Sequence, residues 1–157
     1  MPFDKRCEAQ QILEDLKAVA PESKHGRSEN AKLLLVEDDP SNILIESIFL
    51  DQCGYFYDVA TNGREVINKV STTSYALILM NINLPDMNGL EVTRKLREME
   101  KQGLISHVPI IAITAHVAKG YREICLQAGM NGYISKPFTQ SQLCKKIEQS
   151  VVRQQCN

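Results

Sequence analysis

A chain of 157 residues with 43% hydrophobic side chains has material for one core of ordinary size. Its formal net charge of −1 supplies no polycationic face for nucleic acid or for a membrane surface. The longest apolar runs, such as Tyr75–Met80, are far too short to span a bilayer, so no membrane insertion is expected.

In chain order, Ile12, Leu13, Leu16 and Val19 recur at helical spacing among Glu8, Glu14, Asp15 and Lys17. They predict an amphipathic helix over about residues 7–19, which either docks loosely or meets a partner. Pro21 ends it, and Glu22–Asn30 reads as a polar linker. Residues 1–30 are thus set apart as helix plus linker, 31–154 as the main domain and 155–157 as a tail. Met1–Ala20 lacks the continuous apolar core of a signal peptide.

From Lys32 the pattern becomes regular. Leu33–Val36 is a short apolar run, as in a strand buried on both faces. Asp39 followed by Pro40 reads as an N-cap with proline at the first helical position, and Gly54 as that helix's stop. Tyr55–Ala60 is a second strand, and Asn62-Gly63 turns into a helix through Val66, Ile67 and Val70. Tyr75–Met80 is a third strand, followed by a helix marked by Leu90, Val92, Leu96 and Met99. Val108–Thr114 is a fourth strand, Ala118–Ala128 a helix, Tyr133–Ser135 a fifth strand, and Leu143, Ile147 and Val151 mark a last helix.

Strands alternating with helices through short loops predict an α/β fold, a doubly wound five-stranded parallel sheet covered on both faces. In such sheets ligands sit beyond the carboxyl ends of the strands. Glu37 and Asp38 follow the first strand, Asn81 the third, Thr114 and Ala115 the fourth, and Lys136 the fifth, so four strand ends converge on one pocket. Taken singly, Glu37-Asp38-Asp39 could be a solvated helix start, Thr114 an ordinary strand-end residue and Lys136 a surface lysine.

Five cysteines, Cys7, Cys53, Cys125, Cys144 and Cys156, show neither a C-x-x-C pair nor zinc spacing. They read as free thiols in a reducing cytosol, with Cys53, Cys125 and Cys144 as small apolar helix residues. A cytoplasmic location follows from that reading. His25, His107 and His116 share no spacing and are expected at the surface.

Four segments, Leu34-Leu-Val-Glu37-Asp38-Asp, Leu79-Met-Asn81-Ile-Asn-Leu-Pro85-Asp-Met-Asn-Gly89, Ile113-Thr114-Ala115 and Tyr133-Ile-Ser-Lys136-Pro137-Phe138, occur in order and at spacings that resemble the receiver domain of two-component response regulators. The likeness covers about residues 32–150. The stretch from Thr114 through Ala128 to Pro137 is similar to receivers of hybrid histidine kinases. The resemblance implies a flavodoxin-like strand order of 2-1-3-4-5. It implies Glu37, Asp38 and the Asn83 carbonyl as Mg²⁺ ligands, Thr114, Ala115 and Lys136 as phosphoryl contacts, and Thr114 with Tyr133 as a switch. It also leads to a cis bond at Lys136-Pro137, where unaided sequence favours trans. Tyr133 read without the family is equally a half-buried packing residue.

The family carries its phosphoryl group on an aspartate at the position of Asn81, and an amide is a poor nucleophile that also brings an N–H donor. The resemblance therefore implies a receiver that is not phosphorylated at residue 81, binds Mg²⁺ weakly or not at all, and acts by protein–protein contact rather than as an enzyme. A second reading is an engineered Asp-to-Asn form of a phosphorylatable receiver. A third, an unrelated small flavodoxin-like enzyme, meets the obstacle that its first loop would be Glu37-Asp38-Asp39, which repels an anion, and that no glycine-rich phosphate motif exists.

The expected partner is a histidine kinase or histidine phosphotransfer domain meeting Ser41, Asn42, Ile45, Pro137 and Phe138. A second face at Lys119, Arg122 and Tyr133 is the candidate for a homodimer or output contact. No direct nucleic-acid contact is expected.

Overall fold

A computed structural model of the chain describes residues 32–115 and 118–155. Five strands, β1 (Lys32–Val36), β2 (Phe56–Ala60), β3 (Leu77–Asn81), β4 (Ile110–Thr114) and β5 (Gly132–Ser135), alternate with five helices. The helices are α1 (Pro40–Cys53), α2 (Gly63–Thr72), α3 (Gly89–Lys101), α4 (Tyr121–Ala128) and α5 (Gln140–Gln155). The sheet runs β2-β1-β3-β4-β5 with every pair parallel: the parallel, doubly wound sheet expected from the alternation, in the strand order that the receiver resemblance implies.

The three inner strands are apolar except at their ends, at Lys32, Asn81 and Thr114, because helices cover both of their faces. Alternate residues feed separate cores. Leu34, Val36, Ile78, Met80 and Ala112 meet Val66, Val92 and Leu96 on one side. Leu33, Leu35, Leu77, Leu79, Ile111 and Ile113 meet Leu50, Leu143 and Ile147 on the other. Each buried Leu, Ile, Val or Met side chain among them contributes about 1.5–3 kcal/mol. Together they fix the height at which each strand ends, which is what places the polar residues.

The predicted helix signals have the expected geometry. The Asp39 side chain accepts from the Ser41 amide at 2.8 Å, with Pro40 in the first turn. Gly54 closes α1 at φ 82°, a left-handed conformation that favours glycine. Two strands start two residues later than their apolar runs suggest. Tyr75 and Ala76 precede β3, and Val108 and Pro109 precede β4, although Tyr75 and Val108 are buried. Ala118 lies in a turn whose carbonyl accepts from Tyr121, so α4 begins three residues later than the apolar pattern suggests.

One reading is corrected. Cys53 and Cys144 are not free thiols but are joined as a disulfide, 91 residues apart in sequence with Cα atoms 5.7 Å apart. The cause is tertiary: α1 and α5 pack side by side on one face of the sheet, a neighbourhood that cysteine spacing does not encode. Cys125 is free and buried among the described residues. The amphipathic helix over 7–19, the linker, and Cys7, Cys156, His25 and His116 lie outside the described residues. Among the described residues no helix is long and apolar enough to cross a membrane.

Candidate functional site

Asn81 ends β3 with its side chain buried. Its Nδ2 donates to Glu37 Oε1 at 3.1 Å, to Asp38 Oδ1 at 3.3 Å and to the Asn83 carbonyl at 3.2 Å. Two amide protons face three acceptors, so one proton is shared. The reverse amide orientation would aim oxygen at three oxygens, and this settles which atom faces them. A carboxylate in the same place would face only acceptors, and a cation would be needed to bridge them.

The acceptors are held from separate directions. Glu37 continues β1; its amide donates to the Ala60 carbonyl at 3.0 Å, and its side chain is buried. Asp38 and Asn83 are exposed at the rim. The β3–α3 turn is drawn in by the Gly89 amide, which donates to the Ile82 carbonyl at 2.7 Å. A Cβ at residue 89 would lie 2.5 Å from the Asn81 carbonyl oxygen, so only glycine allows this approach.

Lys136 brings the counter-charge from β5. Its amide donates to the Thr114 carbonyl at 2.8 Å, anchoring the segment, and its ammonium donates to Glu37 Oε2 at 2.9 Å. Glu37 thus has one oxygen on Asn81 and the other on Lys136. The Lys136-Pro137 bond is cis. Thr114 is buried at the end of β4, and Ala115 beyond it is exposed. The fold therefore gathers Glu37, Asp38, Asn81, Asn83 and Lys136 into one hydrogen-bonded cluster, with Thr114 tied to it through the backbone. Tyr133 is half-buried on β5 and packs against the core that contains Met80 and Val92.

The oxygens of Glu37, Asp38 and Asn83 are hard donors of the kind Mg²⁺ takes. Their convergence on a single atom, Asn81 Nδ2, fits such an ion, but the amide already occupies that point and Lys136 already balances Glu37. Among the described residues no group of three His, Cys, Asp or Glu side chains could hold a metal ion.

Two residues at the rim escaped sequence reasoning. Glu46 on α1 is buried, with Oε1 3.9 Å from the Lys136 ammonium and Oε2 without a hydrogen-bond partner. Burial, then the negative charge of Glu37, push its carboxyl up to about 8, against the opposing pull of Lys136. The available signal was a glutamate on the stripe of Ile43, Ser47 and Leu50. Asp86, in the β3–α3 loop, accepts from the amides of Gly63 at 2.8 Å and Arg64 at 2.9 Å, tying that loop to the start of α2. These backbone N–H groups hold its carboxyl below the usual carboxylate range.

The expected partner residues fall into two places. Asn42, Ile45, Pro137 and Phe138 line one groove between α1 and the β5–α5 segment, and exposed Ser41 sits on the first turn of α1. Ile45 is 49% exposed, a large apolar side chain left in water. Lys119 and Arg122 are exposed near α4. His107 is exposed, with Nδ1 3.2 Å from Glu100 Oε2.

Residues 33–148 match the response regulator receiver domain. The chain is 42% identical over 120 residues to hybrid signal transduction histidine kinase B of Dictyostelium discoideum, a match covering 71% of this chain and 6% of that protein. It is also similar to the solved receiver domain of a sensor histidine kinase from Pseudomonas aeruginosa, which holds a magnesium ion in its active site cleft. There the identity is 36%, the TM-score 0.69, and the coverage 77% of this chain and 97% of that one. A third likeness is to a Saccharomyces cerevisiae co-crystal structure of the histidine phosphotransfer protein Ypd1 with the receiver domain of its downstream response regulator Ssk1. It shows 31% identity and a TM-score of 0.73, covering 79% of this chain and 90% of that chain. The chain thus spans a small part of the curated histidine kinases it matches, and nearly the whole of the solved receiver domains.

Proposed function

The chain belongs to the response regulator receiver domain family, and from that premise we propose that it is a phosphorelay receiver whose phospho-acceptor position is held by Asn81, so that it signals by protein contact without phosphorylation there. The observation that carries this reading is the Asn81 amide nitrogen, which donates into the cluster of Glu37, Asp38 and the Asn83 carbonyl. A phospho-acceptor must offer an oxygen nucleophile at that atom. The amide offers a neutral group whose N–H bonds complete the pocket instead.

In this pocket Glu37, Asp38 and the Asn83 carbonyl would hold Mg²⁺, which supplies positive charge against which phosphoryl oxygens are placed. Lys136 would contact one phosphoryl oxygen as a point charge, and Thr114 with the exposed Ala115 would meet another. Affinity for the ion is weakened, because the pocket has two carboxylates where a third is replaced by an amide, and Lys136 already balances Glu37. Tyr133 is the aromatic whose rotamer would follow occupancy of Thr114.

A histidine kinase or histidine phosphotransfer domain docks on Ser41, Asn42, Ile45, Pro137 and Phe138. The exposed apolar surface of Ile45 supports this choice. The face bearing Lys119, Arg122 and Tyr133 serves output contact or self-association.

Incubation with acetyl phosphate and Mg²⁺ tests the reading by intact mass. The chain keeps its mass, and Asn81→Asp gains a phosphoryl adduct at residue 81, since every other matched group is in place. A phosphoryl adduct on residue 81 of the unaltered chain refutes the reading.

A further inference from the structure

The groove between α1 and the β5–α5 segment has a cavity of about 380 Å³, walled by Ile45 and Phe49 on one side and Pro137 and Phe138 on the other. Its width depends on how α1 and α5 lie against each other. Phe49 and Phe138 meet across it edge to face, with ring centroids 6.2 Å apart. One helical turn beyond Phe49 comes Cys53, and six residues beyond Phe138 comes Cys144; these two are bonded.

We propose that Cys53 and Cys144 form a reversible thiol–disulfide site that clamps α5 to α1 and thereby sets the shape of the docking groove according to redox state. The proposal rests on the reading of that groove as the partner face. The ends of the clamp differ in access. Cys53 is 8% exposed at the end of α1. Cys144 is half-buried, with Gln140 Nε2 3.4 Å from its sulfur. An incoming thiolate therefore reaches Cys144 first.

The exchange balances with thiols alone. A low-molecular-weight thiolate attacks Cys144 Sγ, the Cys53–Cys144 bond breaks, and Cys53 leaves as a thiolate that takes a proton from water. A second thiolate attacks the resulting mixed disulfide, releases Cys144 as a thiolate that is protonated in turn, and departs as the reductant's disulfide. Two electrons pass from two reductant thiols to the protein; the reverse runs from glutathione disulfide. In a reducing compartment such a bond is transient and senses redox state.

Reduction does not undock α5, because Leu143 and Ile147 stay buried in the core beneath it. It releases the last turn of α1 and the first two turns of α5, which frame the aromatic pair. Local opening there becomes easier while global stability rests on the sheet.

The test uses the full chain treated with glutathione disulfide or with reduced glutathione, alkylated and peptide-mapped, with amide hydrogen exchange read in parallel. The expected result is a Cys53–Cys144 linked peptide in the oxidised sample. Amide exchange over residues 50–54 and 141–147 is expected to be about tenfold slower there than in the reduced one. In Cys53→Ser and in Cys144→Ser this redox response disappears; either variant alone suffices if the other does not fold. The proposal is overturned by mixed disulfides with glutathione in place of the linked peptide, or by exchange rates that ignore the link. No partner enters this readout, so loss of the redox response and loss of docking are separate results.

Discussion

Asp86 and Glu46 stand on opposite sides of the same strand ends, and their surroundings have little in common. Asp86 is exposed, and its two oxygens take the amides of Gly63, Arg64 and Met87. Glu46 is buried, keeps one oxygen unpartnered, and lies 3.9 Å from an ammonium already committed to Glu37. The α2–α3 side of the rim is therefore finished: every bond Asp86 makes is to backbone and serves to hold a loop. The α1–α5 side is not, and it carries the exposed Ile45, the open groove and the disulfide. A buried polar group left unsatisfied costs on the order of 1–3 kcal/mol, and such costs persist where a site has a use for them.

The most forceful way to break this contrast is to place a third carboxylate between the two sides. Asn81→Asp exchanges a donor for a charge facing Glu37 and Asp38. Like charges about 5 Å apart at an effective dielectric of about 20 repel by roughly 3 kcal/mol. Without metal at neutral pH the variant is expected to lose stability of that order in urea unfolding, and Mg²⁺ is expected to restore it. A variant as stable as the parent without metal shows that Lys136 alone absorbs the charge.

Next in size is Glu46→Gln. Glu46 keeps its proton up to about pH 8 when folded, against an ordinary value of 4.5. Between those values the folded chain binds more protons than the unfolded one, so this residue makes stability fall as pH rises through that window. Replacement by Gln removes the fall, and the stability difference between pH 5 and pH 8 is expected to shrink by about 2 kcal/mol or more. Parallel pH profiles for the two proteins would mean that Glu46 is not the strained acid of this side.

On the same side, Ile45→Asp is expected to weaken binding to a histidine phosphotransfer domain by more than tenfold in calorimetry, or about 1.4 kcal/mol. Unchanged affinity moves the docking face elsewhere. The smallest effect belongs to the finished side. Asp86→Asn loses charge but can still accept from the amides. Because the folded carboxyl of Asp86 is held low, its stabilisation is present at neutral pH and fades as acid protonates it. The variant is expected to flatten the acid limb of the thermal stability profile and to leave neutral-pH ligand and partner binding unaltered.

What was legible in the chain divides along physical lines. Local signals carried the fold: Asp39 with Pro40 opening α1, Gly54 closing it, and continuous apolar runs at β1, β3 and β4 that imply burial on both faces. Strand order came from the family resemblance, and the convergence of Glu37, Asp38, Asn81 and Lys136 came from the rule that strand ends face one side. Features that depend on which helices become neighbours were not legible. Cys53 and Cys144 carry no mark of their pairing, and Asp86 reads as one more turn residue until α2 is seen to start beside it. Glu46 interrupts an apolar stripe by one acid, a signal that a propensity reading passes over because glutamate is a good helix former.

The contact between Lys136 and Glu37 spans 99 residues and joins the second-last segment of the fold to its first strand. A half-made chain emerging during synthesis carries both acids and the amide long before it carries the ammonium that balances them. Electrical completion of the pocket is therefore an event of late assembly, when the outermost strand docks beside β4. Truncated fragments ending before that lysine would present an uncompensated anionic hollow, which separates unfinished copies from finished ones.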